Sequence, residues 1–60
     1  MSSEERATPG QGDRVDCPGL GRGIVVHRGL DSRGRWWFTV SFDDGVVRVI
    51  NGVERLNIVK

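Results

Sequence analysis

The sequence predicts a small all-β domain, and three observations predict it. The chain has 60 residues, a length that holds one domain. Glycine and valine each occur nine times, and no apolar pattern with a 3.6-residue period continues beyond one turn. Short runs rich in β-branched residues alternate with clusters of Gly, Pro and Asp. These runs predict five strands, at residues 14–17, 24–28, 35–42, 46–50 and 56–59.

The first twelve residues differ from the rest of the chain. They contain no Val, Ile, Leu, Phe or Trp. Such a segment buries too little apolar surface to offset the entropy lost when it is ordered. We therefore predict a disordered N-terminal tail at residues 1–12 and a folded domain at residues 13–60. The folded domain has eight basic and six acidic side chains, a net charge of +2.

The first strand begins after Asp13, and Val15 is expected to point into the domain. The loop at residues 18–23 contains three glycines, which permit positive φ before the second strand.

The third and fourth strands are predicted to form a hairpin with a two-residue type I′ turn at residues 44–45, which are Asp-Gly. In that register Phe42 faces Val47 and Val40 faces Val49, so that the apolar pairs share one face. By the same alternation, the side chains predicted to line the core are Trp36, Phe38, Val40, Phe42, Val47 and Val49. The link at residues 51–55 fits a 3₁₀ turn before the last strand. Five strands with this connector predict a small five-stranded SH3-like (Tudor-like) barrel.

One aromatic side chain, Trp37, is expected on the outer face, with Arg35, Arg48 and Ile50 close to it. An exposed aromatic and basic patch is typical of a binding surface. We predict that these four residues bind a partner.

The arginines suggest a second interpretation. Arg22, Arg28, Arg33 and Arg35 lie in or beside two loops that are expected at one end of the barrel. Their side chains would contact phosphates, and Trp37 would stack on an unpaired base. A nucleic-acid interface is therefore the alternative to protein docking.

Several classes of chemistry are not expected. A single cysteine, Cys17, cannot close an internal disulfide, and with one His27 it cannot complete a four-ligand zinc site. No third residue is spaced to form a catalytic triad with them. We predict no catalytic residues, no metal and no cofactor. The longest apolar runs have three residues and no secretory signal is visible, which predicts a cytoplasmic protein that is not in a membrane.

The motifs GDRV at residues 12–15 and PGLGRGIV at residues 18–25 resemble the opening of the Tudor-like domain at the C-terminus of UvrD and PcrA helicases. FDDG at residues 42–45 and ERL at residues 54–56 extend the resemblance over nearly the whole domain. A similar pattern recurs in the RNA-polymerase-interacting domain of CarD proteins and in KOW modules. The resemblance implies a non-catalytic docking module, such as a bacterial or phage accessory protein. Its implied partner is a protein such as RNA polymerase, or alternatively DNA or RNA. Separately, we expect a monomer or a small homo-oligomer.

A weaker resemblance is to the plasmid-borne type II dihydrofolate reductases, which are also SH3-like barrels that begin GDRV. VRVI at residues 47–50 stands where that family has VQIY. The substrate-contacting Gln and Tyr of the family would fall at Arg48 and Ile50, and its important Lys near Cys17. Because all three are missing, reductase activity is a remote alternative and we do not expect an enzyme.

Overall fold

The computed structural model describes residues 8–59. They form one antiparallel sheet of five strands with the order β4-β3-β2-β1-β5. The strands are β1 Arg14–Cys17, β2 Gly21–Leu30, β3 Trp36–Phe42, β4 Val47–Asn51 and β5 Asn57–Ile58, with the 3₁₀ helix η1 at Val53–Arg55. The all-β class, the five strands and the 3₁₀ turn before the last strand are therefore confirmed. Within the described residues β4 and β5 do not pair with each other, so the sheet is not closed and the barrel stays a prediction.

The chain before β1 packs against the sheet from Pro9 onward. The side chain of Pro9 is fully buried, and the Gly12 amide donates a hydrogen bond of 2.7 Å to the Val25 carbonyl. Arg28 Nη1 donates to the Pro9 carbonyl at 3.1 Å. The boundary predicted at residue 12 thus falls inside a segment that contacts the sheet. Residues 1–7 of the predicted tail lie outside the described residues.

The long strand β2 pairs with β1 through its first half and with β3 along most of its length. The register against β3 shifts by one residue between Val25 and His27, which is the mark of a β-bulge. A bulge bends a strand and increases its twist, so one strand can serve both neighbours. Close approach of the backbones requires glycine at Gly23, where a Cβ atom would lie 2.5 Å from the Ser41 carbonyl oxygen.

The core is formed by one face of the sheet. It consists of eight buried side chains: Val15, Cys17, Val25, Phe38, Val40, Phe42, Ile50 and Leu56. Trp36 and Val53 pack against this core from its margin. The Trp36 and Phe38 rings are stacked, with centroids 6.1 Å apart. We call this side of the sheet the core face and the opposite side the outer face.

The predicted register of the β3–β4 hairpin is wrong by one residue. Ser41 pairs with Val47, Thr39 pairs with Val49, and Phe38 pairs with Ile50. The predicted partnership of Val40 with Val49 is therefore not formed. Because side chains alternate between the two faces, this shift turns every residue of β4 over.

The cause is a loop of three residues, 43–45, where two were predicted. The Phe42 amide donates to the Val46 carbonyl at 2.8 Å, and the Gly45 amide donates to the Phe42 carbonyl at 2.9 Å. Gly45 has φ of 91°, as expected for a type I turn followed by a left-handed residue that forms a bulge. Asp44 Oδ1 accepts a hydrogen bond from the Val46 amide at 3.0 Å and closes the loop.

Two aspects of β4 change as a result. Val47 and Val49 were predicted to face the core, but each is 59% exposed. Ile50 was predicted to face outward, but it is only 5% exposed and belongs to the core.

The Gly45→Ala variant tests this loop. A side chain at positive φ is strained, so we expect a loss of about 1 kcal/mol in the free energy of unfolding, measured by urea denaturation. Gly10→Ala is the matched control, because Gly10 is not among the positive-φ glycines and its added Cβ would meet only an ordinary contact at 3.7 Å. Equal effects of the two substitutions would contradict the loop.

Candidate docking surface

The structure does not bring the four predicted partner-binding residues to one face. Trp37 lies on the outer face, whereas Ile50 is buried in the core. Arg48 pairs with Val40, so it stands on the core-facing side of β4, at the exposed margin of the sheet. Arg35 is exposed in the loop that precedes β3.

Trp37 itself is half-buried, and its position has a structural cause. It pairs with Gly29 of β2. A Cβ atom at Gly29 would lie 2.5 Å from Cζ2 of Trp37 and 2.8 Å from Cε2. The indole therefore lies across the bare backbone of Gly29, and only part of the ring is free to meet a partner.

The outer face is built of three rows that cross β2, β3 and β4. The rows are Ile24, Ser41 and Val47; His27, Thr39 and Val49; and Gly29, Trp37 and Asn51. Val47 and Val49 are the most exposed apolar side chains of these rows, and Ile24 is 40% exposed. We call Val47 and Val49, on the outermost strand β4, the valine edge. This surface is not among the sites predicted from the sequence. The signal in the sequence that points to it is Asp-Asp-Gly at residues 43–45, which fits a three-residue loop.

The backbone of β4 has one free side. Val46 accepts a hydrogen bond from β3, and Gly52 donates one to the Trp36 carbonyl at 2.9 Å. Hydrogen-bonded pairs alternate along an antiparallel ladder, so even-numbered residues of β4 turn their backbone groups toward β3. The amides and carbonyls of Val47, Val49 and Asn51 then point away from the sheet. Among residues 8–59, no strand pairs with that side of β4.

The predicted arginine cluster is divided between two ends of the sheet. Arg22 lies beside the hairpin loop, where its carbonyl accepts a hydrogen bond from the Asp43 amide at 2.9 Å. Arg28, Arg33 and Arg35 lie at the opposite end of β2 or in the loop after it. The expected grouping of Arg22 with these three is therefore wrong.

The loop between β2 and β3 is organised by one carboxylate. Asp31 Oδ1 accepts hydrogen bonds from the Arg33 amide at 2.8 Å and the Arg35 amide at 2.9 Å. These backbone hydrogen bonds, led by that of Arg35, lower the pKa of Asp31. The guanidinium of Arg28 lies 4.9 Å from the centroid of the Trp36 ring, in a cation–π contact at the same end of the sheet.

A shallow groove of about 290 Å³ opens at this end, between the loop and η1. Its lining residues are Gly34, Arg35, Trp36, Gly52, Val53 and Glu54. The groove therefore combines part of an indole with one cation and one carboxylate.

Cys17 and His27, the one thiol and the one imidazole of the chain, are not brought together. Within residues 8–59, no group of three His, Cys, Asp or Glu side chains is placed to hold a metal ion. Cys17 pairs with Gly21, whereas His27 lies six residues further along β2, a separation of roughly 20 Å. Burial, and then the charge of Asp16, raise the pKa of the Cys17 thiol.

No helix in the described part of the chain is long and apolar enough to cross a membrane.

Comparison of the chain with known protein families, with curated proteins and with solved structures gives no match. Function is therefore inferred from the geometry of the surface and from the motifs at residues 12–15, 18–25 and 42–45.

A double-mutant cycle tests whether Trp37 covers Gly29. Gly29→Ala should lower the free energy of unfolding by about 1 to 3 kcal/mol, because the new methyl group meets the indole. In the Trp37→Ala background the same substitution should have little effect, which gives a coupling energy of about 1 kcal/mol or more. Urea denaturation of the four proteins measures it. Identical effects of Gly29→Ala in both backgrounds would show that the indole does not lie there.

The Cys17 thiol makes stability depend on alkaline pH. Its pKa is raised in the folded state, so its stabilising contribution is complete below the pKa of the unfolded thiol, about 8.5. The contribution decreases as the pH rises above that value, because only the unfolded state releases the proton. The free energy of unfolding should therefore decrease more between pH 7 and pH 10 for the wild type than for Cys17→Ala. Parallel losses in the two proteins would contradict the burial of the thiol.

Proposed function

We propose that this protein is a non-catalytic binding module that docks on a protein partner of transcription or repair, such as RNA polymerase. The observation that carries the proposal is the valine edge. Two apolar side chains, each 59% exposed, stand on the outermost strand, next to backbone groups that pair with no strand among residues 8–59. An extended segment of a partner can add to such a strand by main-chain hydrogen bonds, while its side chains cover the valines.

The composition of β4 supports this proposal. Edge strands of proteins that do not bind at their edge are commonly protected by Lys, by Pro, by a bulge or by very short length. β4 reads Val-Arg-Val-Ile-Asn, with no Lys or Pro and no register shift against β3. Its one charge, Arg48, is on the other face of the strand from the valines.

The resemblance to the Tudor-like domain of UvrD and PcrA helicases and to CarD modules also supports docking. The resembling segments occupy the start of β1, the turn into β2 and the β3–β4 loop. The order of the strands, with η1 between β4 and β5, agrees with an SH3-like barrel. In a bacterial or phage setting, the partner and this module would meet in the cytoplasm.

A second candidate function is nucleic-acid binding, and one observation favours it. Arg28, Arg33 and Arg35 surround the end of the sheet where Trp36 lines the groove. These side chains offer phosphate contacts beside an aromatic ring. Asp31 and Glu54 lie at the same end and reduce its positive charge.

A binding experiment on the full chain separates the two candidates. The immobilised protein is exposed to purified bacterial RNA polymerase core enzyme and, separately, to a single-stranded oligonucleotide. If docking uses the valine edge, Val47→Lys should weaken polymerase binding by about tenfold or more, because a charge replaces the methyl groups that the partner would cover. Leu30→Lys is the matched control, since Leu30 is 55% exposed and lies two strands away from β4.

Salt dependence provides the second measurement. Oligonucleotide binding through three or more phosphates should fall tenfold or more between about 50 and 200 mM salt. Arg33→Gln should reduce that slope, and Arg22→Gln, at the opposite end of the sheet, should leave it unchanged. Polymerase binding that is equal for Val47→Lys and Leu30→Lys would contradict docking at the valine edge. Retention of neither polymerase nor oligonucleotide would contradict both candidates.

A further inference from the structure

We propose that β4 pairs antiparallel with β4 of a second copy of this chain, about a two-fold axis at Val49, so that the two sheets become one. This inference goes beyond the proposed docking, because the strand that pairs with β4 comes from a second copy of the protein and not from another protein. It uses the free side of β4, whose backbone groups at Val47, Val49 and Asn51 have no partner strand among residues 8–59.

The backbone of β4 is self-complementary in this arrangement. A two-fold axis at Val49 places the outward amide and carbonyl of that residue opposite those of Val49 of the second copy. Val47 then meets Asn51 of the second copy, and Asn51 meets Val47. All three outward-pointing residues of β4 thereby enter hydrogen-bonded pairs, and an isologous contact of this kind closes on itself as a dimer.

The side chains favour this register over its neighbour. With the axis at Val49, two valines face each other on the outer face, and Arg48 lies opposite Ile50 of the second copy. An axis at Arg48 would place two guanidinium groups directly across from each other, which is unfavourable. It would also pair only Val47 and Val49, and leave the groups of Asn51 unpaired.

Charge at the two ends of β4 sets the antiparallel direction. The strand is preceded by Asp43 and Asp44, both exposed, and Asp43 makes only a long 3.7 Å ion pair with Arg14. Beyond its other end lie Arg55 in η1 and Arg33 and Arg35 in the adjoining loop, together with the two acids Asp31 and Glu54. Antiparallel pairing brings the acidic end of one copy to the more basic end of the other, whereas parallel pairing would join like ends.

The other edge of the sheet explains why the association stops at two copies. β5 has only two residues, Asn57–Ile58, and a strand of that length offers almost no ladder to a neighbour. Head-to-tail addition of β4 to β5 of the next copy, which would produce an open fibre, therefore has little to hold it. The dimer also covers the valine edge, so self-association and partner docking compete for one strand.

The test is sedimentation of the purified full chain alone, over protein concentrations from about 5 μM to 1 mM. We expect the mass to rise from 6.7 kDa toward twice that value. Val49→Pro removes one outward amide and no hydrogen bond to β3, and proline is tolerated on edge strands. It should weaken the dimer at least tenfold while thermal unfolding stays cooperative.

A second variant keeps the test decisive if the proline disturbs the fold. Val49→Lys places two ammonium groups at the two-fold axis and should also yield a monomer. Leu30→Lys, of similar exposure but far from β4, should dimerise as the wild type does.

Disulfide trapping checks the register. Across a hydrogen-bonded antiparallel pair the Cα atoms lie about 5.5 Å apart, within the range that a disulfide spans. Oxidised Val49→Cys should therefore cross-link at least fivefold faster than Val47→Cys, whose neighbour in the dimer is Asn51. The native Cys17 is buried and should not contribute.

The proposal is overturned by a wild-type protein that remains monomeric at 1 mM, by a dimer that neither Val49 variant weakens, or by faster cross-linking through position 47. No polymerase or nucleic acid enters these measurements. Failure of the dimer therefore leaves the docking result standing, and failure of docking leaves the dimer measurable.

Discussion

The positive φ of Gly45 is the constraint on which the exposed surface of this protein depends. It permits a three-residue loop, and the number of loop residues sets which residues of β3 and β4 face each other. Ile50 therefore enters the core beside Phe38, while the valines on either side of Arg48 turn to the outer face. The opposite register would bury two valines and expose one isoleucine. Three contacts favour the arrangement observed: the hydrogen bonds of the loop, the packing of Val53 against the core, and the burial of Leu56 within it.

β2 is the second organising element, because it connects the two halves of the sheet. Glycine lets the strands approach at Gly23, and at Gly29 it leaves a gap that the indole of Trp37 covers. The segment before β1 is held near Gly29. There the guanidinium of Arg28 contacts both the Trp36 ring and the Pro9 carbonyl. The two adjacent tryptophans thus have separate structural tasks on opposite faces of β3.

The sequence was sufficient for the fold class and for the facing of β3, but not for β4. Side chains alternate between the two faces of β3, and only the even-numbered residues are apolar throughout. This identifies Phe38, Val40 and Phe42 as core residues. In β4 the apolar residues Val47, Val49 and Ile50 occupy both phases, so the strand pattern leaves the facing open and the turn decides it. The dipeptide Asp-Gly is compatible with both a two-residue and a three-residue loop, so it does not determine the loop length. The predicted binding patch was based on the wrong register of β4, and so its four residues are not on one surface.

The valine edge also has an energetic meaning that reaches beyond its geometry. A 60-residue chain has a small core, and folded domains of any size retain only about 5 to 15 kcal/mol of net stability. Burial of a valine contributes about 1.5 kcal/mol or more, yet two of the nine valines stand mostly in water on an edge strand. Their apolar surface does little for the folding of one copy. Burial of these valines by another strand would release the corresponding free energy. The backbone groups beside them, which pair with no strand in the described part of the chain, favour a strand as the cover. In the proposed interactions, folding and association thereby use opposite faces of β4: Ile50 contributes to folding and the two valines to association.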